Sequence, residues 1–190
     1  MKIKFGEQVL EKEEALSVFE AASELELASR ATLCAVVNGE VKEMTYVLTE
    51  DADVRLCTFE DEEGKKVFRH TAAHVLAQAV KRLYPETKLT IGPAIEGGVY
   101  YDFDSETSFT PDILKALEDE MKKIVRENLR IERFELPRDE AIALMTEREE
   151  PYKVQLIEEL PADAVISFYR QGEFVDLCAG PHLFSTAAIK

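Results

Sequence analysis

The sequence predicts an α+β protein, in which a small sheet-rich unit precedes a larger unit with a helix packed on an antiparallel sheet. Short apolar or alternating runs separated by Gly and Asn turn signals fill the first part of the chain and are typical of strands. Apolar residues at helical spacing extend over about residues 67–83. Two apolar runs on either side of Gln171-Gly172 predict a hairpin close to the end of the sequence.

The first part of the chain contains strand and helix signals in a characteristic order. Residues 2–5 and 8–10 predict two short strands joined by a turn. Residues 13–27 carry apolar side chains at helical spacing. Further strand-like runs follow, and Asn38-Gly39 between two of them is a strong tight-turn signal. This order is that of a small ubiquitin-like β-grasp unit.

An acidic stretch followed by Gly-Lys-Lys separates the two predicted units. It predicts a solvated linker at residues 61–67, between a unit of residues 1–60 and a unit of residues 68–190. The second unit begins with the helix, which ends near Leu83 because Pro85 cannot continue it.

The remaining elements of the second unit are both helices and strands. Thr110 and Pro111 predict the start of a helix that extends to about residue 128. Further strands and helices are predicted at residues 89–93, 99–103, 131–136, 139–148, 165–169 and 174–177, and a short helix from residue 151. The second unit is therefore expected to place a helix against an antiparallel sheet.

The composition excludes several classes of protein. No apolar run is long enough to span a membrane, and the N-terminus lacks the apolar core of a signal peptide. Three widely spaced cysteines fit a reducing compartment, so we expect a cytoplasmic protein without membrane contact. The net charge is −15, from 23 basic and 38 acidic residues, which argues against a general polyanion-binding surface. Any contact with RNA must be local or supplied by another part of the protein.

All three histidines of the chain fall in two short segments, each with a four-residue step. His70 and His74 are one helical turn apart, so both lie on the same side of the predicted helix. Cys178 and His182 lie in a segment that leaves the last predicted strand, where a Gly-Pro pair excludes a helix. Any one of these side chains alone is more often part of a packed core. Their pairing indicates a site assembled by the fold.

Three chemistries are open to this group. The set of His, His, Cys and His is complete for zinc, and the spacing alone favours neither a metal site nor a metal-free site. The sequence argues against a zincin peptidase, because Thr71 stands where the zincin motif needs Glu. Acid–base hydrolysis without metal is the second chemistry, with Lys153 and Asp176 in support. A Cys178 nucleophile with a His partner ranks last, because nothing in the sequence lowers the pKa of the thiol.

Four segments of the sequence carry a resemblance to a known family. They are RHTAAHVLAQA at residues 69–79, IGP at 91–93 with YYDF at 100–103, PYK at 151–153, and DLCAGPH at 176–182. Together they resemble the N-terminal region of bacterial threonyl-tRNA synthetases, over essentially the whole chain. Residues 1–60 resemble the TGS module of that family and residues 68–190 its editing module. The paired histidine and Cys-His motifs are shared with alanyl-tRNA synthetases, but the TGS unit favours the threonyl family.

The resemblance implies post-transfer editing, which is hydrolysis of mischarged seryl-tRNA(Thr) within a threonine–tRNA ligase. The functional positions of the family fall on His70, His74, Cys178 and His182, with Lys153 and Asp176 in matching motifs. We expect Asp176 to hold the α-ammonium group of the substrate, and His70 or Lys153 to position and deprotonate water. Another side chain of the cluster is expected to protonate the leaving ribose oxygen.

The side-chain pocket is expected near Tyr100, Gly92 and Pro93, where it would exclude the methyl group of threonine. Since the site of this family generally works without zinc, the resemblance implies no cofactor. Zinc held by the two histidine and Cys-His pairs is the alternative.

The resemblance also implies partners. They are the acceptor end of tRNA(Thr) carrying serine and the remainder of a synthetase, with catalytic and anticodon-binding domains, in an expected homodimer. The editing module is expected to continue beyond Lys190, and Ala179 stands where relatives often carry Arg. Two other functions stay open: a non-catalytic module that binds RNA or a protein partner, and a zinc-dependent editing hydrolase of the alanyl-tRNA type.

Overall fold

The computed structural model describes residues 1–92, 94–95 and 98–189, and it confirms the predicted α+β class. The strands are β1 (Lys2–Phe5), β2 (Gln8–Glu11), β3 (Leu16–Ser17), β4 (Cys34–Val37), β5 (Glu40–Lys42), β6 (Val47–Leu48), β7 (Ala52–Cys57), β8 (Lys88–Leu89), β9 (Ala94–Ile95), β10 (Gly98–Val99), β11 (Phe103–Asp104), β12 (Ile131–Glu135), β13 (Ser167–Gln171) and β14 (Phe174–Leu177). The helices are α1 (Val18–Glu24), α2 (Glu62–Leu83), α3 (Pro111–Glu127), α4 (Arg138–Glu147) and α5 (Pro151–Glu159), followed by a 3-10 turn at Thr186–Ala188. Within the described ranges, no helix has the length and apolar character needed to cross a membrane.

The N-terminal unit is built on a mixed five-stranded sheet. Its strand order is β2-β1-β7-β4-β5, in which β1 and β7 run parallel and the other neighbours run antiparallel. The helix α1 packs on this sheet through Val18, Ala21 and Ala22, which share an apolar core with Ile3 and Val54. The N-terminal unit thus combines a mixed sheet with one packed helix, as the predicted α+β class requires.

The helix α1 is shorter than the predicted helix over residues 13–27. Leu16 and Ser17 pair with β6 in an antiparallel bridge, so tertiary pairing overrides the helical spacing there. Ser17 then caps the helix: its hydroxyl accepts from the Glu20 backbone N–H, and the Glu20 carboxylate accepts from the Ser17 backbone N–H. The capping box sets the start of the helix at Val18.

The long helix α2 is the central element of the fold and begins within the predicted linker. Residues 62–67 form its first turns instead of an extended connection. Val67 packs there with Leu33 and Cys57 of the N-terminal unit and with Leu183 from the end of the chain. The acidic stretch thus forms the exposed start of a helix whose other side is buried.

Alanines allow α2 to pack closely on two sides. Ala73 and Ala77 share an apolar cluster with Phe174 of β14, and Ala79 shares another with Leu117 and other residues of α3. The predicted helix on an antiparallel sheet is confirmed, since α2 packs on the sheet of order β12-β13-β14. The start of α3 is also as predicted, with Thr110 as its N-cap and Pro111 as its first residue.

The strands predicted at residues 89–93 and 99–103 are largely broken up. The structure has β8 and β11 as one antiparallel pair and β9 and β10 as another. Pro93, Glu96 and Gly97 lie outside the described residues. Leu89, Val99, Tyr101 and Phe103 pack beside α2, near the buried middle of that helix.

Candidate active site

The two histidine-containing segments meet in space. His70 and His74 lie one turn apart on α2, and Cys178 and His182 lie in the loop after β14. One potential ligand atom from each of the four residues lies within 4.8 Å of the other three. The fold therefore assembles the cluster that the spacing predicted.

The conformation of the loop depends on a glycine. Gly180 has a φ of +75°, and a Cβ atom at this position would lie 1.9 Å from the hydroxyl oxygen of Tyr169. The ring of Tyr169 in turn packs on the edge of His182, with ring centroids 4.5 Å apart. The hydroxyl group of Tyr169 lies 3.2 Å from Glu43 of the N-terminal unit. The loop is thus fixed from both units.

The sulfur of Cys178 lies at the centre of the cluster. Its Sγ is 3.3 Å from Nε2 of His70 and 3.3 Å from Nε2 of His182. The backbone N–H of Gly180 also donates to this sulfur at 3.3 Å. The ring of His182 lies between the other two imidazoles, with centroid distances of 4.1 Å to both.

A buried ion pair lies beneath the imidazoles. Nζ of Lys153 is 2.8 Å from Oδ1 of Asp176, and the Tyr101 hydroxyl donates to Oδ2 at 2.7 Å. Nζ of Lys153 also donates to the Tyr101 oxygen at 3.3 Å, and Nε2 of His74 is 3.6 Å from Oδ2 of Asp176. These side chains are almost fully buried, with Lys153 at 3% and Asp176 at 1% exposure. A buried charge requires such partners.

Burial keeps the four clustered groups uncharged. It lowers the pKa of His74 to about 3, which the nearby Asp176 carboxylate only partly opposes. Burial also lowers the pKa of His70, and it lowers the pKa of His182 well below the ordinary value. The pKa of the Cys178 thiol is raised to about 12 by burial, so this sulfur keeps its proton at neutral pH. A thiol in this state is a poor nucleophile.

The ion pair beneath behaves differently. Burial alone would raise the pKa of Asp176, but the Lys153 ammonium and the hydrogen bonds from Lys153 and Tyr101 together hold this pKa below its ordinary value. The pKa of Tyr101 is raised by burial and by the Asp176 carboxylate, so its hydroxyl remains a donor. The site thus combines a neutral outer group with one fixed pair of opposite charges.

Access to the site is through His70 and Cys178. Both are half-buried, whereas His74 and His182 are 2% and 1% exposed. His70 faces a cleft of about 640 Å³ between the two units. The cleft is lined by Val41, Glu62, Glu63, Lys66, Val67, His70, Gly180 and Pro181.

The tyrosine that points into the site is Tyr101, the neighbour of the predicted Tyr100. Tyr100 is 40% exposed, whereas Tyr101 bonds to Asp176 and is 8% exposed. The predicted Gly92 packs on this ring, because a Cβ at Gly92 would meet the Tyr101 ring at 2.1 Å. The predicted Pro93 lies outside the described residues. A signal for Tyr101 exists in the sequence: in an extended segment it shares a face with the apolar Val99 and Phe103.

The donor set fits a zinc ion. Three imidazoles and one thiol are standard zinc donors. Their sulfur–nitrogen distances of 3.3 Å are close to the separation of about 3.6 Å that Zn–S and Zn–N bond lengths give around a tetrahedral ion. The same distances also fit hydrogen bonds to sulfur, so these two contacts are compatible with either form of the site.

Comparison with known proteins relates the chain to one family of enzymes. Residues 166–190 match the family described as threonyl and alanyl tRNA synthetase second additional domain. The threonine–tRNA ligase of Clostridium kluyveri is 56% identical over 191 residues, which cover 100% of this chain and 30% of that protein.

Two further relatives have the same name. The threonine–tRNA ligase of Clostridium tetani is 56% identical over 184 residues, covering 96% of this chain and 29% of that protein. That of Acetivibrio thermocellus is 54% identical over 183 residues, with the same coverage of 96% and 29%. The chain spans about 30% of the length of the curated relatives that it matches. It is therefore related over its whole length to the N-terminal part of bacterial threonyl-tRNA synthetases.

Proposed function

We propose that this chain hydrolyses the aminoacyl ester of mischarged tRNA, with seryl-tRNA(Thr) as its substrate. The observation that carries the proposal is the cluster of His70, His74, Cys178 and His182, within 4.8 Å, above the buried Lys153–Asp176 pair. Neutral imidazoles beside a fixed positive charge are suited to moving protons and stabilising an oxyanion. The names of the relatives, which are threonine–tRNA ligases, supply the class of substrate.

A serine-specific hydrolase compensates for the limited selectivity with which a binding pocket can distinguish two amino acids by size. Serine lacks the methyl group of threonine, and one methyl group in a pocket changes selectivity only by about 10–200-fold. A second site that admits serine and excludes threonine removes the error that the first site leaves. In this proposal the wall of the pocket is Tyr101, packed on Gly92, and not the exposed Tyr100.

His70 is the proposed general base. It is the half-buried imidazole of the cluster, it faces the cleft, and burial lowers its pKa so that it is neutral. Water attacks the ester carbonyl carbon while a water proton moves to His70. The bond between that carbon and the ribose oxygen then breaks, and the leaving ribose oxygen takes the proton. The products are serine and uncharged tRNA.

Lys153 and Asp176 have complementary roles in this proposal. Lys153 is a cation held by the carboxylate, so it stabilises negative charge on the attacked carbonyl oxygen instead of removing a proton from water. The oxygens of Asp176 already contact Lys153 and Tyr101. We therefore assign Asp176 to holding these two groups in place, in preference to direct contact with the α-ammonium of the substrate.

The proposed reaction is metal-free. It is supported by the contacts of the Cys178 sulfur, which already has two imidazole nitrogens and one backbone N–H at hydrogen-bond distance. Zinc-dependent hydrolysis is the second candidate, favoured by the fit of the same four donors to that ion. Zinc bound there would lower the pKa of a water molecule and so activate it.

Deacylation of seryl-tRNA(Thr) by site variants tests the proposal. We expect His70→Ala to slow the reaction by about 10²–10⁴-fold, the usual contribution of a general base. Lys153→Met, which keeps most of the side-chain volume, is expected to slow it strongly as well. Lys65→Ala is the control, since this residue lies on the same helix outside the cleft lining and pairs with Glu62. Rates that are unchanged in both site variants would contradict the proposal.

Metal analysis of the same samples separates the two candidates. The metal-free proposal predicts no stoichiometric zinc in the purified active chain and an unchanged rate after treatment with a chelator. One zinc per chain, together with loss of activity on chelation and recovery with zinc, would establish the second candidate. Binding of tRNA without any deacylation would instead point to a non-catalytic module.

We further propose that the chain acts as part of a longer synthetase, because its relatives are about three times as long. The acceptor end of tRNA(Thr) and the remainder of that synthetase are then its partners.

A further inference from the structure

Thr71 contacts the deepest imidazole of the cluster. It lies between the two histidines of α2 in sequence and is fully buried. Its Oγ1 is 3.0 Å from Nδ1 of His182, and the backbone N–H of Leu183 donates to the same Oγ1 at 3.0 Å. The hydroxyl group therefore joins the helix to the loop that carries Cys178 and His182.

The hydrogen bond from the Leu183 N–H determines the direction of the hydrogen bond between Thr71 and His182. Since Oγ1 accepts from the Leu183 N–H, the hydroxyl proton needs an acceptor of its own. Nδ1 of His182 is the acceptor within hydrogen-bond distance among the described residues. If Nδ1 carried a proton instead, the hydroxyl proton would be buried without a partner, at a cost of about 1–3 kcal/mol.

The same chain contains this arrangement a second time. The buried hydroxyl of Thr186 accepts from the Leu129 backbone N–H at 2.9 Å and donates to the Ile124 carbonyl oxygen at 2.9 Å. There the acceptor is a carbonyl oxygen, which has no proton to give, so the direction is certain. Thr71 repeats the pattern with an imidazole nitrogen in the place of the carbonyl oxygen.

We infer that Thr71 is a positioning residue that fixes the tautomer of His182. With Nδ1 as acceptor, the proton of the neutral ring lies on Nε2, which is 3.3 Å from the Cys178 sulfur. His182 then donates to the sulfur and the protonated thiol donates to Nε2 of His70. The order of donation runs from Thr71 through His182 and Cys178 to His70.

This order assigns different roles to the imidazoles. His70 has its lone pair at Nε2, where it accepts from the Cys178 thiol. As the proposed general base it takes a water proton at this atom, in place of the weak thiol donor. His182 carries a proton at Nε2 and so cannot bind a metal ion through that atom without changing its tautomer. The inference about catalysis rests on the proposed editing function, whereas the tautomer itself does not.

Nitrogen NMR of the histidine rings tests the tautomer directly. The chain has three histidines, so ¹⁵N-labelled His182 is assigned by comparison with His182→Asn. We expect a protonated Nε2 and an unprotonated Nδ1 in the wild type and in Thr71→Ser. In Thr71→Val we expect both tautomers, because neither nitrogen is then selected. A wild-type ring protonated at Nδ1, or an unchanged ring in a folded Thr71→Val, would overturn the inference.

The matched control is Thr186→Val. This change removes a buried hydroxyl with one accepted and one donated bond, as Thr71→Val does, but the partners of that hydroxyl are Leu129 and Ile124 and not His182. It should lower stability without changing the His182 tautomer. If Thr71→Val fails to fold, the wild-type and Thr71→Ser spectra still decide the question.

Deacylation kinetics give the second readout. We expect Thr71→Val to lower kcat for seryl-tRNA(Thr) by about tenfold, which corresponds to about 1.4 kcal/mol, and Thr71→Ser to restore it. A changed tautomer with unchanged kcat would refute the role in catalysis and leave the tautomer assignment in place. No deacylation by the wild type would refute the proposed function, and the spectra would still report on Thr71.

Discussion

The two units of this protein bury different kinds of side chain. Within residues 1–66 no polar or charged side chain is buried, and the core consists of residues such as Ile3, Val18 and Val54. In the second unit the buried polar or charged residues are Thr71, His74, Gln78, Thr87, Glu120, Glu150, Lys153, Ser167, Gln171, Asp176, His182 and Thr186. One unit is held by an apolar core, whereas the other surrounds a polar centre with apolar helices and strands.

This difference indicates that the buried polar side chains of the second unit serve chemistry and not the stability of the fold. Burial of an apolar side chain is favourable, whereas burial of a charge is costly unless the charge is paired and hydrogen-bonded. A buried ion pair is often no better for stability than well-packed apolar residues. The Lys153–Asp176 pair beneath three imidazoles is therefore better explained by function than by folding.

The largest effect on stability is expected when one charge of the polar centre is removed. Asp176→Ala leaves the Lys153 ammonium buried without its partner, because its other contact is the Tyr101 hydroxyl. We expect the free energy of unfolding to fall by about 3–5 kcal/mol. Unfolding in urea, followed by circular dichroism, measures this change.

The double variant Lys153→Met with Asp176→Ala is the control for that loss. It removes both charges, so it should be more stable than Asp176→Ala alone. If the double variant lost as much stability as the sum of the two single changes, the charges would not be coupled, and our description of the centre would be wrong.

The next largest effect is the dependence of the free energy of unfolding on pH. Near neutral pH it comes from the second unit, since all three histidines lie there. Burial depresses the pKa of His74 from 6.5 to about 3. At pH values between about 3 and 6.5 the unfolded chain binds more protons than the folded chain. The free energy of unfolding is therefore highest above pH 6.5 and decreases as the pH is lowered. The slope from one such group is at most about 1.4 kcal/mol per pH unit. His70 and His182 act in the same direction.

Urea unfolding at pH 7, 6 and 5 measures this slope. Most carboxylates titrate below this window, so the histidines dominate it. In His74→Gln the slope should be smaller. A stability that does not change between pH 7 and pH 5 would mean that these imidazoles are not buried in their neutral form.

The smallest expected effect concerns the apolar unit. Ile3→Val removes one methylene from a fully buried position, and we expect a loss of about 0.5–1.5 kcal/mol. The deacylation rate per folded molecule should stay at the wild-type value, since Ile3 lies in the other core. A rate that fell with this small change would show that the apolar unit shapes the site itself.

The sequence predicts the His70–His74 and Cys178–His182 pairs of the site better than it predicts the residues around them. The four-residue step of His70 and His74 on a helix, and the loop form of the Cys178 segment, follow from local rules that the structure obeys. The burial of Lys153 does not follow from such rules, because lysine is rarely buried and its partner Asp176 is distant in the sequence. The pairing of Leu16 with Leu48, which shortens α1, is likewise a long-range contact.

Two other differences have a local origin. The acidic stretch before residue 67 resembles a solvated linker and so predicts a later start for α2. Glu62 and Glu63 are, however, also favourable in the first turn of a helix. Tyr100 and Tyr101 cannot both point inward, because adjacent residues of a strand face opposite sides. The inward side was determined by Asp176, which bonds to Tyr101.

The central claim is that the polar centre of the second unit hydrolyses a serine ester on tRNA. The most direct test is single-turnover deacylation of seryl-tRNA(Thr) and threonyl-tRNA(Thr) by the wild-type chain, with the enzyme in excess and a chelator present. We predict rapid release of serine and little release of threonine, with the serine reaction lost in His70→Ala. Equal rates for the two substrates, or rates no faster than without protein, would contradict the claim.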